Sequence, residues 1–398
     1  MYTDIASSSL RELDAVALAT NFTLFMERGT RHDMKSQWKP LPILFLAVLG
    51  LAVFSVGTPG ATPQEDQDQE SSGRFTVNVE TIVVNVLVTD RNGKPLTGLQ
   101  KENFRIFEDG EEQVVQNFFP VDAPFSVGLL LDTSYSTVGK LARIQDSAIE
   151  FLDQIHPDDE VMVISFDDDV YLDTDFTQNK QAVERAIKMT RSGRSTQLFE
   201  AVYLGMEQLR EQPYRKVMVL FTDGVDTTSP TSSAKETVEA AKEAEVTIYP
   251  IFFNTEADTL AGLRNPSSGG PGPLGTPTGS PFPFPMPQPT PQRYPGDPGG
   301  RYPDDARREQ VTREYMKARS YLSELAEVTG GARFDAAGNL SDLGEAFAKI
   351  AEEMRSLYTI GYVPSNMEKD GKFRKIKVEV NIDKGRVRTR QGYYSGKK

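Results

Sequence analysis

From residue 125 onward the chain alternates two hydrophobic patterns. Uniformly apolar runs of strand length occur at "FSVGLLL" (125–131), "VMVISF" (161–166), "KVMVLFTDG" (216–224) and "VTIYPIFF" (246–253). Between them, Leu141, Ile144, Ala148, Phe151, Leu152 and Ile155 recur at helical spacing. Further helices fit 178–189, 197–210 and 233–244. The more polar "VYLDTDF" (170–176) suits the edge of a sheet. Apolar strands alternating with amphipathic helices predict an α/β unit, a mostly parallel sheet with helices on both faces.

The flanks carry a different pattern. Residues 74–120 mix two-residue alternation with β-branched side chains, and no helix of any length fits there. "DRNGKPL" is a turn, and "FRIFEDGEEQVVQNF" predicts a hairpin about Asp109-Gly110. At the other end, a helix over 311–329 and a short strand in "GGARFDA" precede a second helix over 341–357. That helix puts Leu343, Phe347, Ile350 and Met354 on one face. Residues 358–398 are β again, with a hairpin expected about Lys384-Gly385. Each β segment is too short to bury a core alone. The expectation is therefore one sandwich made from 74–120 and 358–394, with the α/β unit inserted and helix 341–357 leading from it into the sandwich.

Residues 256–310 interrupt the pattern. They hold more than half of the chain's prolines, which block both helix and sheet ladders, so they read as a linker or exposed loop within a domain spanning 122–357. "GPGPLG" (270–275) matches a dinucleotide fingerprint, but neither a strand nor a helix frames it, so it is compositional. The insert leaves the carboxyl end of the 246–253 strand, where it is placed to screen or extend a binding face.

The N-terminal region has the pattern of an export signal. Lys35 and Lys39 precede an apolar run from Leu41 to Val56, and the small residues Ser55 and Gly57 follow. Residues 34–61 thus read as a signal peptide, with an uncleaved anchor as the alternative, and Met34 as the natural start. Residues 1–33 are then an upstream extension, and 62–73 a disordered polar spacer. The expected location is periplasmic or extracellular, with membrane contact only through such an anchor.

Composition narrows the chemistry. The 398 residues carry a net charge of −13, which argues against a nucleic-acid partner. There is no cysteine, and the two histidines are His32 and His156. Thiolate metal sites, cysteine nucleophiles and histidine clusters are excluded, so any metal must be held by oxygen.

Loops at the carboxyl ends of strands line the binding crevice of an open parallel sheet. Three such stretches here are rich in oxygen: Asp132-Thr133-Ser134-Tyr135-Ser136, "GRSTQLFEA" with Thr196, and "LFTDGVD" with Asp223. Two carboxylates with hydroxyls suit Mg2+, which takes one or two carboxylates and keeps several waters. One open position would accept a carboxylate from another molecule.

D-x-S-x-S after an apolar strand, a later threonine in G-x-[ST]-T-x-L-x-x-A, and T-D-G after another strand together resemble the von Willebrand factor A domain. The matching set is its metal-ion-dependent adhesion site. The resemblance covers about 122–255 and resumes at 311–357. It implies a six-stranded Rossmann-like sheet, Asp132, Ser134, Ser136, Thr196 and Asp223 as metal positions, and Mg2+ or Mn2+ as the ion. The β-rich leader and the phrase "LYTIGYVPSN" are similar to a bacterial, Acidobacteria-type group of von Willebrand factor A-related proteins. The proline-rich insert departs from the ordinary domain.

Blander readings stand beside these. Thr196 is well placed as a helix cap, and Asp132 as a strand end. Asp167-Asp168-Asp169 reads as a solvated turn, and a second metal site is its alternative. Asp226 is either a support of the site or part of a surface turn. Tyr135 faces a partner or packs, and His156 reads as structural. The expected function is a metal-dependent adhesion-type module that binds an acidic group on a partner protein. A metal-free envelope scaffold is the alternative. A metal-assisted hydrolase is the weakest reading, because no general base is evident.

Overall fold

A computed structural model describes residues 81–119, 121, 123–264, 303–337, 340–382 and 385–396. The chain divides at Arg74, and all described residues lie in the compact unit Phe75–Lys398. The expected extension, signal run and polar spacer, with most of the proline-rich stretch, lie outside the described residues. No helix among the described residues is long and apolar enough to cross a membrane.

The leader forms β1 (Ile82–Thr89), β2 (Phe104–Glu108), β3 (Glu111–Gln113) and β4 (Val115–Phe119). Its Asp109-Gly110 turn places both residues at positive φ, and Ile106 pairs with Gln113 across it, as the hairpin reading predicts. The α/β unit follows as β5 (Phe125–Asp132), α1 (Leu141–Gln154), β6 (Glu160–Phe166), β7 (Val170–Thr177), α2 (Lys180–Met189), α3 (Leu198–Arg210), β8 (Arg215–Thr222), α4 (Ala234–Glu243) and β9 (Val246–Phe253). After α5 (Glu256–Arg264) and α6 (Pro303–Thr329) come β10 (Phe334–Ala336) and α7 (Leu343–Met354). The tail is β11 (Leu357–Tyr362), β12 (Phe373–Val380), β13 (Arg386–Thr389) and β14 (Gly392–Tyr394).

The central sheet has six strands in the order β10-β9-β8-β5-β6-β7, parallel except for β7. Strands β5 and β9 are buried at every residue, because helices cover both faces. One face packs Phe151, Phe347 and Ile350 against the sheet, and the other packs Val202, Leu209, Leu322 and Leu325. The run 170–176 lies in the edge strand, as its polarity suggests.

Leader and tail interleave in two four-stranded sheets, β13-β1-β11-β4 and β14-β12-β2-β3. Val84, Val86, Ile106, Tyr358, Ile360 and Val378 form their shared core. Strand β11 follows α7 directly. Arg215, at the start of β8, ties the α/β unit to this sandwich by donating to the carbonyls of Leu357, Val121 and Ala123. Where the helix α6 ends, Gly331 passes so close to β9 that a Cβ there would lie 1.8 Å from the Ile248 carbonyl oxygen.

Two expectations are corrected. Residues 256–310 are not loop throughout. Glu256–Arg264 is helical, because "EADTLAGLR" contains no proline, and α6 begins at Pro303 rather than 311. Proline is favoured at the first helical position, where no amide partner is lost. The hairpin expected about Lys384-Gly385 is also not seen among the described residues, and Lys384 itself lies outside them. β12 pairs with β2 and β14, while β13 pairs with β1 in the other sheet.

Candidate metal centre

Strand β5 delivers Asp132 at its last residue, and Asp132 is fully buried. Its Oδ1 accepts from the Ser134 amide (3.0 Å) and the Ser134 hydroxyl (2.5 Å). Its Oδ2 accepts from the Thr222 hydroxyl on the neighbouring strand β8 (2.6 Å). The Ser134 and Ser136 hydroxyls lie 3.1 Å apart. A single helical turn, Tyr135–Thr137, shapes this loop, and the Thr137 hydroxyl donates to the Ser134 carbonyl (2.7 Å).

Asp223 follows β8 and is also buried. Its Oδ1 accepts from the Val225 amide (3.2 Å), and its Oδ2 from the Thr255 hydroxyl (2.8 Å) just past β9. Tyr315 of α6 lies 2.6 Å from that same Thr255 oxygen. Since Thr255 donates to Asp223, Tyr315 donates to Thr255. Burial first, and the Asp223 charge second, push the Tyr315 hydroxyl up, which keeps its proton in place.

Thr196 sits on a loop stapled to both others. The Gly193 amide donates to the Thr133 carbonyl (2.9 Å), and the amides of Thr227 and Thr228 donate to the Thr196 carbonyl (3.0 and 3.1 Å). Thr196 is buried, and among the described residues its hydroxyl makes no hydrogen bond. It therefore does not cap α3. That task falls to Asp226, whose Oδ1 accepts from the Leu198 amide at 2.9 Å and is held by the Ser229 hydroxyl at 2.6 Å. Asp226 thus fixes the start of the helix that follows Thr196. Burial raises its pKa in spite of these bonds.

The run Asp167-Asp168-Asp169 is not a simple solvated turn. Asp167 is buried beside Thr133, and its carbonyl accepts from the Gln197 amide (3.1 Å). Asp168 accepts from the Ser195 amide (3.0 Å) and hydroxyl (2.5 Å). Both hold the Thr196 loop in place. A solvated turn was the natural reading because nothing in the run itself announces partners thirty residues away. Tyr135 is half-buried. The His156 amide donates to Asp159 (2.8 Å), a structural turn.

The electrostatics are those of a buried carboxylate pair to which no cation is directly bonded among the described residues. Burial, and then repulsion from Asp223, raise Asp132 to about 7. Burial likewise raises Asp223, against the bonds from Thr255, Val225 and Ser136. No lysine or arginine is bonded to either carboxylate among the described residues. Nor do the described residues hold a cluster of three or more His, Cys, Asp or Glu. A cation here would thus rest on two carboxylates and the hydroxyls of Ser134, Ser136 and Thr196. That hard, incomplete oxygen set fits Mg2+ or Mn2+.

Residues 126–270 match the von Willebrand factor type A domain. The chain contains a von Willebrand factor A domain. Solved structures similar to this chain include BatB from Bacteroides thetaiotaomicron, at 17% identity and TM-score 0.35, covering 58% of this chain and 97% of that one. A second is the vWF domain of the type V pili tip protein Mfa5 from Porphyromonas gingivalis, at 15% identity and TM-score 0.33, covering 58% and 94%. A third is proximal thread matrix protein 1 from the mussel byssus with a zinc-occupied MIDAS motif, at 12% identity and TM-score 0.39, covering 65% of this chain and 49% of that one. No curated protein matches. In this A domain the chain leaves β9 at the end of the sheet that carries Asp132 and Asp223, and Thr255, just past β9, donates to Asp223.

Proposed function

We propose that this is an exported, metal-dependent protein-binding module. Asp132, Ser134, Ser136, Thr196 and Asp223 would hold Mg2+ or Mn2+, and an acidic side chain of a partner protein would complete the shell. The observation that carries this reading is the buried Asp132–Asp223 pair, which lacks a bonded basic partner. A buried charge left unpaired is costly, and a divalent cation is the group that cancels two at once. The A domain places the pair at the carboxyl ends of β5 and β8, the end of an α/β sheet where ligands bind. Export rests on the apolar run 41–56 and its flanking lysines.

The same bonds support a metal-free scaffold as a second reading. With Asp132 protonated, the hydroxyls of Ser134, Thr222 and Thr255 already contact the carboxyl oxygens. Thermal unfolding with Mg2+ or Mn2+ against EDTA separates the two. Cation at a hundredfold its Kd stabilises by about 2.7 kcal/mol. Asp132→Asn abolishes that gain while leaving the EDTA protein folded. A wild-type midpoint that ignores both cations overturns the metal reading and leaves the scaffold. Capture of partners from envelope extract, lost on chelation, would then identify the ligand.

A further inference from the structure

We propose that Lys140 is a tethered counter-charge of the metal centre. Asp258 holds it off the two carboxylates, so the position of α5 sets how tightly the centre holds a cation. The inference rests on the metal reading above and names how that site is regulated.

Lys140 ends the loop that begins at Asp132. Its amide donates to the Thr137 carbonyl (2.8 Å), and Thr137 is bonded in turn to Ser134. Its ammonium donates to Asp258 Oδ2 at 2.8 Å. Asp258 lies in the first turn of α5, and that turn starts at Thr255, whose carbonyl accepts from the Thr259 amide (3.0 Å). Thr255 is the residue that donates to Asp223. The ion pair therefore closes a ring: Asp132, Ser134, Thr137, Lys140, Asp258, Thr255, Asp223. Burial dominates at Asp223, and the bonds from Thr255, Val225 and Ser136 oppose it first; the Lys140 charge acts in the same direction as those bonds, toward the ionised form.

The pair is not there for stability. Asp258 is 69% exposed, and an ion pair with one solvated partner adds little. What it fixes is the place of a positive charge. An ammonium and a divalent cation compete for the same two carboxylates, and they repel each other more strongly in a poorly hydrated site than in water. Asp258 offsets that charge and keeps it at the rim. A displacement of α5 frees Lys140 to turn toward Asp223 and weakens cation binding. By linkage, a bound cation drives Lys140 toward Asp258 and strengthens the docking of α5. Helix α5 is also gripped from α6 by the Thr312–Glu256 bond (2.7 Å), so movement of α6 acts on the centre by the same route.

The test is calorimetric titration of the full-length chain with Mg2+ alone, together with thermal unfolding in EDTA. Lys140→Met binds Mg2+ about fivefold tighter or more, and Asp258→Asn about threefold weaker. In the double variant the Asp258→Asn effect vanishes, and Lys140→Arg behaves as wild type. In EDTA, Lys140→Met unfolds at a lower temperature, because the counter-charge is gone. Asp258→Asn breaks the same ion pair but keeps the ammonium, and it shows no such drop. Unchanged or weaker binding by Lys140→Met overturns the inference, as does an Asp258→Asn effect that persists without Lys140. A wild-type chain that binds no Mg2+ overturns the metal reading itself, which is a different failure.

Discussion

The molecule buries a carboxylate at the end of a strand in two places and treats them in opposite ways. Glu108 ends β2 inside the sandwich. Its Oε2 accepts from the hydroxyls of Tyr362 (2.7 Å) and Tyr393 (2.9 Å), and Arg374 lies 4.0 Å from Oε1. Asp132 ends β5 inside the A domain, and its charged neighbour is a second carboxylate. Burial is nearly equal, at 3% exposed for Glu108 and 0% for Asp132. What separates a structural acid from a candidate site is therefore the partner, not the depth. In the sandwich the protein supplies the cation. In the A domain it supplies hydroxyls and bonds no cation directly to the carboxylates.

The comparison can be broken at either end. The largest effect is expected from Glu108→Ala, which leaves the Tyr362 and Tyr393 hydroxyls without their acceptor and reduces Arg374 to its contacts with Asp370 and the Glu368 carbonyl. It should destabilise by about 3–5 kcal/mol, the range for removing one partner of a buried pair. Urea unfolding measures this, and Mg2+ binding should be unchanged. A loss below 1 kcal/mol, by contrast, would mean that the sandwich charge is no better paired than the A-domain one.

Next comes the pH dependence of the metal-free chain. Asp132 holds its proton to about pH 7 when folded, against 3.8 ordinarily. Between those values the unfolded chain binds fewer protons, so stability falls as pH rises and the loss is complete above about 7. Its size is on the order of 4 kcal/mol at most. Saturating Mg2+ should flatten the slope. Urea midpoints in EDTA that climb from pH 5 to pH 8 would contradict a repelling pair.

The smallest effect is expected from Asp226→Ala, which uncaps α3 and should cost about 1 kcal/mol. Because that helix follows Thr196, Mg2+ affinity should fall as well, and the Glu108 network should not respond. An affinity equal to wild type would show that Thr196 is held by its own loop alone.

The alternation of apolar strands and helices made the six-stranded sheet legible, and the shortness of the two β segments made their pairing a reasonable expectation. The three oxygen-rich stretches were legible because they follow apolar strands or precede a helix, while the choice of five residues within them came from the resemblance to the von Willebrand factor A domain. The supports were not. Thr133 with Asp167, Ser195 with Asp168, Asp226 with Leu198 and Thr255 with Asp223 join residues far apart in sequence, and no periodicity records such contacts. Proline density masked α5 and the first turns of α6, since the proline-free nonapeptide 256–264 and the residues after Pro303 directly abut the proline-rich run. The sequence around Lys384-Gly385 misled for a related reason: it predicts a reversal, but not which sheet receives β13.

Strand β1 has a consequence for how the chain is made. Its two neighbours are β11 and β13, so Ile82 pairs with Tyr362 and Val86 with Thr389. A ribosome delivers this apolar ribbon first and its mates last, after the whole A domain has been synthesised. Until then β1 is an adhesive edge without a lawful neighbour, the kind of segment that seeds aggregation. Production of the chain should therefore depend on a chaperone that shields the leader, and C-terminal truncations should yield inclusion bodies rather than a soluble A domain.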